Sequence, residues 1–316
     1  MNRNILPVQG TRILVPLDGS ALSEAALAPA VALAAAANAR LRLVMVHETL
    51  PPPLTREMAT LHTRIELVTR KAARDYLRRH AERLKKEGLA NVTRVLLTGE
   101  PGPAIEKHIG EWDADLVVMM THGRGIVARA WLGSVADYVV RHVEIPVLLL
   151  RATKKPAVGP IASGGEVLVP LDGSPFGEAA LEPAMALAKL LGAKLSLVQV
   201  LVPATVALSP SLQLAGGLDG RLVTASHEQA RAYLEGMATR LEARGHRVRT
   251  ETIVSIGVAG TLLEMSGRKR VRLIALATHG RAGVRRLLLG SVADKLVRGA
   301  DCPVLVCRSP ARKGKG

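Results

Sequence analysis

The sequence predicts two tandem α/β domains, each a doubly wound, five-stranded parallel sheet with helices on both faces. Three observations predict it. The chain has 316 residues, about twice a common domain length of roughly 150 residues. It repeats itself: LVPLDGS occurs at Leu14 to Ser20 and again, unchanged, at Leu168 to Ser174. Within each half, short apolar runs alternate with Ala-rich or amphipathic stretches, the pattern of a parallel sheet built from strand–helix–strand units.

The repetition extends along both halves. EAAL follows at Glu24 and Glu178, THGR at Thr121 and Thr278, LGSVAD at Leu132 and Leu289, and PVL at Pro146 and Pro303. The offset is 154 residues at the start of each half and 157 at the end. Matching words keep their order, which marks a tandem duplication of one domain. The expected organisation is domain 1 over 1–151, a Gly/Pro-rich linker over 152–165, domain 2 over 166–308, and a basic disordered tail over 309–316.

The first half offers apolar runs at Arg12 to Leu17, Leu41 to Val46, Val92 to Leu97, Leu116 to Met120 and Pro146 to Leu150. The second half has counterparts near Val167, Leu195, Val248, Leu273 and Val304. Continuous Val/Ile/Leu runs suit strands buried on both faces. Ala21 to Ala37 and Thr63 to Glu87 read as helices. In the latter, Ile65, Val68, Ala72, Tyr76, Leu77 and Leu84 recur at helical spacing and are expected to face the core.

Composition narrows the class. Hydrophobic residues make up 48% and charged residues 22%, which is globular rather than disordered. The two cysteines, Cys302 and Cys307, provide no disulfide framework, and on one strand they would point to opposite faces. The N-terminal stretch lacks an apolar signal core, and Ala25 to Ala37 is too short to span a bilayer. The expectation is a cytoplasmic protein with no membrane span.

In open parallel sheets ligands bind beyond the carboxyl ends of the strands, where the strand order reverses. The repeated words follow the first strand (LDGS) and the fourth (THGR and LGS). If these strands are neighbours, the order is 3-2-1-4-5 and both loops meet. Gly123 and Gly133 are separated by nine residues, as are Gly280 and Gly290. Glycine lets backbone approach a ligand. Ser134 and Ser291 read as N-caps of the next helix, with Asp137 and Asp294 as capping-box partners. A helix start suits an anion, and Arg124 and Arg281 stand ready for a phosphate oxygen. Gly-Ser can also simply start a helix; its recurrence beside Asp18-Gly19-Ser20 and Asp172-Gly173-Ser174 favours a ligand. Asp18 and Asp172 can accept from ribose or base, or serve only as turn residues. Ser20 and Ser174 read as N-caps, with Pro175 next.

Together these words resemble the universal stress protein family in its tandem two-domain form, over about Arg12 to Arg151 and Glu166 to Arg308. The resemblance implies flavodoxin-like (Rossmann-like) domains of order 3-2-1-4-5. It also implies an adenine nucleotide as cofactor, ATP, AMP or ADP, with Mg²⁺ arriving on it. The family's glycine signature falls on Gly123, Gly133 and Ser134, and on Gly280, Gly290 and Ser291. Its strand-end aspartate falls on Asp18 and Asp172, and its adenine-contacting backbone on Val46 and Val200. The implied shell is completed by Leu17, Ser20, Thr121, His122, Arg124 and Val135 in the first half. In the second it is completed by Leu171, Ser174, Thr278, His279, Arg281 and Val292. Both halves depart at the first signature glycine, where Met120 and Ala277 stand. Alanine adds one methyl, whereas methionine adds a long adaptable side chain, so the second half is expected to hold the better site.

No strong catalytic constellation is visible. His122 and His279 lie in the loop, and no histidines pair at metal-ligand spacing. The expected role is an ATP-binding stress-response or regulatory module. Two rivals stand beside it: a slow ATPase or phosphotransferase using the same cradle, and an interaction protein with empty sites and a basic docking surface. The net charge is +16. Much of it lies between Thr63 and Glu87, where it reads as the solvated face of a helix. Aromatics are only 2%, so base stacking has little to work with and nucleic acid is disfavoured as a partner. The last strands, PVLLL and PVLVC, are expected to pair the two domains with each other; a homodimer is left open.

Overall fold

The computed structural model describes residues 6, 9–52, 56–121, 132–151, 161–203, 220–278 and 289–308. The chain divides into two units near Ile161. In the first unit the described strands are β1 (Arg12–Pro16), β2 (Arg40–His47), β3 (Val92–Thr98), β4 (Leu116–Met120) and β5 (Val147–Leu150). They are parallel, in the order β3-β2-β1-β4-β5. The second unit has β6 (Glu166–Pro170), β7 (Lys194–Leu201), β8 (Val248–Val254), β9 (Val271–Thr278) and β10 (Val304–Arg308), in the order β8-β7-β6-β9-β10. Both orders reverse between the first and fourth strands of the unit. The carboxyl ends of those strands therefore share one rim.

Burial explains the composition of the strands. Every residue of β4 and β5 is buried, as continuous apolar strands covered on both faces require. At the ends of the orders, β3 and β8 carry exposed residues and are the more polar.

The first unit's helices are α1 (Ala21–Glu24), α2 (Leu27–Ala36), α3 (Arg56–Lys86), α4 (Pro101–Trp112) and α5 (Ser134–His142). The second unit has a 3₁₀ turn (Gly177–Ala180), then α6 (Leu181–Leu191), α7 (Gly220–Glu242), α8 (Val258–Ser266) and α9 (Ser291–Gly299). The single helix expected over Ala21 to Ala37 is interrupted at Ala25 and Ala26. The cause is Pro29. It has no N–H for the carbonyl of Ala25, and its ring crowds that carbonyl. Pro183 repeats the effect four residues after Ala179, inside the 3₁₀ turn.

A second expectation needs correcting. Ile65, Val68 and Ala72 do not face the core: Ile65 is 39% and Val68 61% exposed, and Ala72 is exposed as well. The buried stripe of α3 runs through Ala73, Leu77, Ala81 and Leu84 instead. Length is the physical reason. The 31 residues of α3 extend about 46 Å at roughly 1.5 Å per residue. The eight residues of β2 span only about 26 Å, so the N-terminal turns of α3 overhang the sheet. The basic residues of α3 do lie on its solvated side: Arg64, Lys71, Arg74, Arg78 and Lys85 are exposed.

Cys302 precedes β10 rather than lying on it. Both cysteines are free and buried. Burial pushes the Cys302 thiol up to about 12, with Asp301 adding to it, and it also raises Cys307. Neither is set up as a thiolate nucleophile.

Candidate functional site

The rim of the first unit opens into a cleft of about 1060 Å³, at the upper end of ordinary ligand pockets. Leu17, Asp18, Val46, Met120, Thr121, Gly133, Ser134 and Val135, eight of the residues singled out from sequence, all line it. The sheet order brings them together from four separate segments.

Beyond β1 the chain turns at Gly19, with φ +81°, a left-handed conformation that favours glycine. Asp18 holds this turn. Its Oδ1 accepts from the Ser20 amide at 2.9 Å and the Ser20 hydroxyl at 2.6 Å. The Ser20 hydroxyl accepts from the Ser23 amide at 3.1 Å and so caps α1. The second unit repeats the geometry. Asp172 Oδ1 accepts from Ser174 at 2.9 and 2.6 Å, the Ser174 hydroxyl accepts from the Gly177 amide at 3.1 Å, and Gly173 has φ +80°. Each aspartate therefore serves as a turn residue.

Beyond β4, the Gly133 amide donates to the Thr121 carbonyl at 2.7 Å, which ties the start of α5 to the strand end. Here the structure corrects the sequence reading. Ser134 and Ser291 are not N-caps; they are the first helical residues, and Gly133 and Gly290 are the caps. Asp137 and Asp294 do not reach back as capping-box partners. They pair forward with Arg141 at 2.7 Å and Arg298 at 2.8 Å, four residues on, a spacing that brings side chains together on a helix. The first-turn amides thus receive no side-chain cap.

Gly133 and Gly290 need no positive φ; theirs are −59° and −57°. A Cβ at Gly290 would meet no atom within 4 Å. Neither backbone strain nor internal packing requires glycine at position 290. What glycine preserves there is open space against a helix start.

Sequence reasoning missed the wall supplied by α3. Tyr76 lines the cleft and donates to Glu24 Oε1 at 3.0 Å; Tyr233 donates to Glu178 Oε1 at 2.9 Å. Burial first, and then the glutamate bond, raises both phenols above their ordinary range. The signal was present: EAAL places Glu24 and Glu178 at matching positions, and Tyr76 and Tyr233 keep the 157-residue offset. In the first unit alone, Glu24 Oε1 also lies 3.3 Å from His80 Nε2. His80 Nδ1 is buried without a partner, and burial lowers this histidine's pKa. At the mouth, His47 meets Glu66 at 2.7 Å, and Glu66 Oε1 accepts from the Leu50 amide at 2.8 Å. The Leu50 amide, then His47, hold the Glu66 carboxyl down to about 2.

Met120 is 5% exposed. It forms part of the cleft wall, and the cleft is open beside it. Among the described residues no group of three His, Cys, Asp or Glu is placed to hold a metal, and no helix is long and apolar enough to cross a membrane. His122, Gly123 and Arg124, and their counterparts His279, Gly280 and Arg281, lie outside the described residues.

A family model described as the universal stress protein family matches residues 10–151 and again 165–308. The chain belongs to the universal stress protein family. A universal stress protein of Mycobacterium tuberculosis (strain ATCC 25618 / H37Rv) is 31% identical over 234 residues, covering 72% of this chain and 75% of the relative. Another from the same strain is 29% identical over 316 residues, covering 94% and 95%. Among solved structures, a universal stress protein from Archaeoglobus fulgidus DSM 4304 superposes with a TM-score of 0.71 at 19% identity, covering 95% of this chain and 99% of that one. That likeness shows the fold, a mixed α/β domain repeated in tandem. Each universal stress protein unit of this chain keeps the Asp-Gly-Ser turn, the glycine-capped helix and the tyrosine–glutamate bond. The units differ at Met120 and Ala277, at Met45 and Gln199, and at His47 and Leu201.

Proposed function

We propose that each unit is a binding module for an adenine nucleotide, chiefly ATP, and that the chain acts as a stress-response regulator rather than as a strong catalyst. The glycine at the start of α9, and its twin before α5, carries this reading. Open space beside uncapped helical amides suits a phosphate, which adds charge complementarity to the helix dipole. The base end of the ligand then extends along the rim toward the second strand of the unit, past Val46 or Val200. Membership of the universal stress protein family supports the reading. Any Mg²⁺ is carried by the phosphates rather than by a protein cage. We place the tighter site in the second unit, where Ala277 replaces the longer Met120.

Calorimetric titration with ATP tests this. Gly290→Val starts from a position where an added Cβ meets no protein atom within 4 Å, so the fold should survive while affinity at the tighter site falls roughly a hundredfold or more. Gly133→Val should remove the weaker site. Wild-type protein that takes up no ATP, or Gly290→Val protein that binds as wild type does, overturns the reading.

A further inference from the structure

The long helices α3 and α7 hold matching places in the two units. The 157-residue offset that aligns Tyr76 with Tyr233 aligns them along their length. Their inner sides agree: Ala73, Leu77 and Leu84 are buried in one, and Ala230, Leu234 and Leu241 in the other. Their outer sides are opposite in sign. Lys71, Arg78 and Lys85 on α3 correspond to Glu228, Glu235 and Glu242 on α7, and all six are exposed. Packing within each unit does not require the reversal, because none of the six is buried.

Spacing puts each set of three in a single row. Residues seven apart stand about two turns apart, displaced by about 10.5 Å along the axis and only about 20° around it. The surroundings keep each sign. Beside the row on α3, exposed Arg64, Arg74 and Lys86 outnumber Asp75 and Glu82. Beside the row on α7, Arg231 is the one cation among the described residues, and Ala225, Ala232 and Thr239 carry no charge. Arg78 pairs with Asp75 at 3.0 Å and Glu235 with Arg231 at 2.7 Å. Leu67 and Val68, one turn before Lys71, are exposed as well, at 65% and 61%.

We propose that α3 of one molecule docks on α7 of a second copy, so that the chain associates with itself through these two rows. A second copy is the partner that fits both faces, since it carries the complement of each, and the folded chain leaves both exposed. The rows match one to one in either direction. Arg78 meets Glu235 in the middle, and Lys71 and Lys85 meet Glu228 and Glu242 whether the helices run parallel or antiparallel. Exposed ion pairs contribute little singly and are screened by salt. The contact is therefore reversible, and charge complementarity supplies its selectivity.

The experiment is analytical sedimentation of the full chain at low and high salt, with two triple variants. Wild type should associate at about 0.05 M salt, and its dissociation constant should rise roughly tenfold or more at about 0.5 M. Lys71→Glu with Arg78→Glu and Lys85→Glu gives two acidic rows; Glu228→Lys with Glu235→Lys and Glu242→Lys gives two basic rows. Each variant alone should sediment as a single chain at low salt. An equimolar mixture of the two should associate, because each then meets its complement, and the variant with all six changes should associate with itself again. All six positions are exposed, so thermal midpoints should stay within about 2 °C of wild type. Wild type that remains a single chain at low salt overturns the proposal. So does association that survives in both triple variants, which places the interface elsewhere, or a mixture that fails to associate. Wild type that stays single yet binds duplex DNA, with binding lost in the first triple variant, assigns the α3 row to a nucleic acid and also overturns it.

Discussion

The two units repeat one frame and vary what stands against the cleft. The Asp18 and Asp172 turns agree in donor, acceptor and distance. So do the bonds from Tyr76 to Glu24 and from Tyr233 to Glu178. These contacts fix backbone and helix position, and duplication has kept them. The units differ at Met45 against Gln199, Met120 against Ala277, His47 against Leu201, and His80 against Met237; of these, Met45, His47 and Met120 line the first cleft. Features that hold the rim in place are shared, and so are the glycine-capped helix starts; the wall around them has diverged at Met45 against Gln199 and Met120 against Ala277.

The largest effects should fall on the shared core. Leu77 and Leu234 occupy matching places on α3 and α7 and are 1% and 0% exposed. Leu77→Ala and Leu234→Ala should each cost about 2–5 kcal/mol by urea unfolding. A large cost in one unit only would break the equivalence of the frames. Next come the tyrosines. Tyr76→Phe and Tyr233→Phe remove matching hydrogen bonds and should each cost about 0.5–1.5 kcal/mol, with little effect on ATP affinity. A severe binding defect in either would move that tyrosine from the frame to the ligand.

Acid should weaken both units, since burial lowers His246 of the second as well, with His80 adding a loss in the first. Burial lowers the pKa of His80, with Arg83 and Arg79 adding to the shift against the opposing pull of Glu24. The folded state therefore binds fewer protons than the unfolded chain, and stability falls as pH drops below the ordinary histidine value of 6.5. His80→Met, the residue its twin position carries, should flatten this loss in the first unit. His108, lowered in the same direction, should leave a remainder. Glu66 works in a lower window. Its carboxylate stabilises the fold above the ordinary value of 4.5, and that contribution is lost as pH falls toward about 2. A pH profile of unfolding for His80→Met that overlays wild type would contradict the assignment. The smallest effect should come from Leu67→Ala on the overhanging turns of α3. Leu67 is 65% exposed, and the change should stay within about 0.5 kcal/mol.

Much of the frame was legible in the sequence because local rules govern it. The apolar runs locate the strands to within about two residues, and the repeated words locate both loops of the rim. The break in the first helix was legible in principle, since Pro29 forbids the bond to Ala25. The roles of Ser134 and Asp137 were misread because two local motifs compete there: a serine before a helix suggests a cap, yet Arg141 draws Asp137 away. The wall from α3 was not legible by periodicity. Ile65 and Val68 fit the apolar stripe, but the sheet ends before they reach it. The Tyr76–Glu24 bond spans 52 positions, beyond the reach of any local pattern.

The central claim is that two glycine-capped helix starts hold two nucleotides. Native mass spectrometry of the intact chain with ATP counts them directly. Wild type should carry up to two nucleotides, Gly290→Val and Gly133→Val one each, and the double variant none, with the folded charge-state distribution unchanged. No adduct on wild type, or the same adducts on the double variant, would contradict the claim.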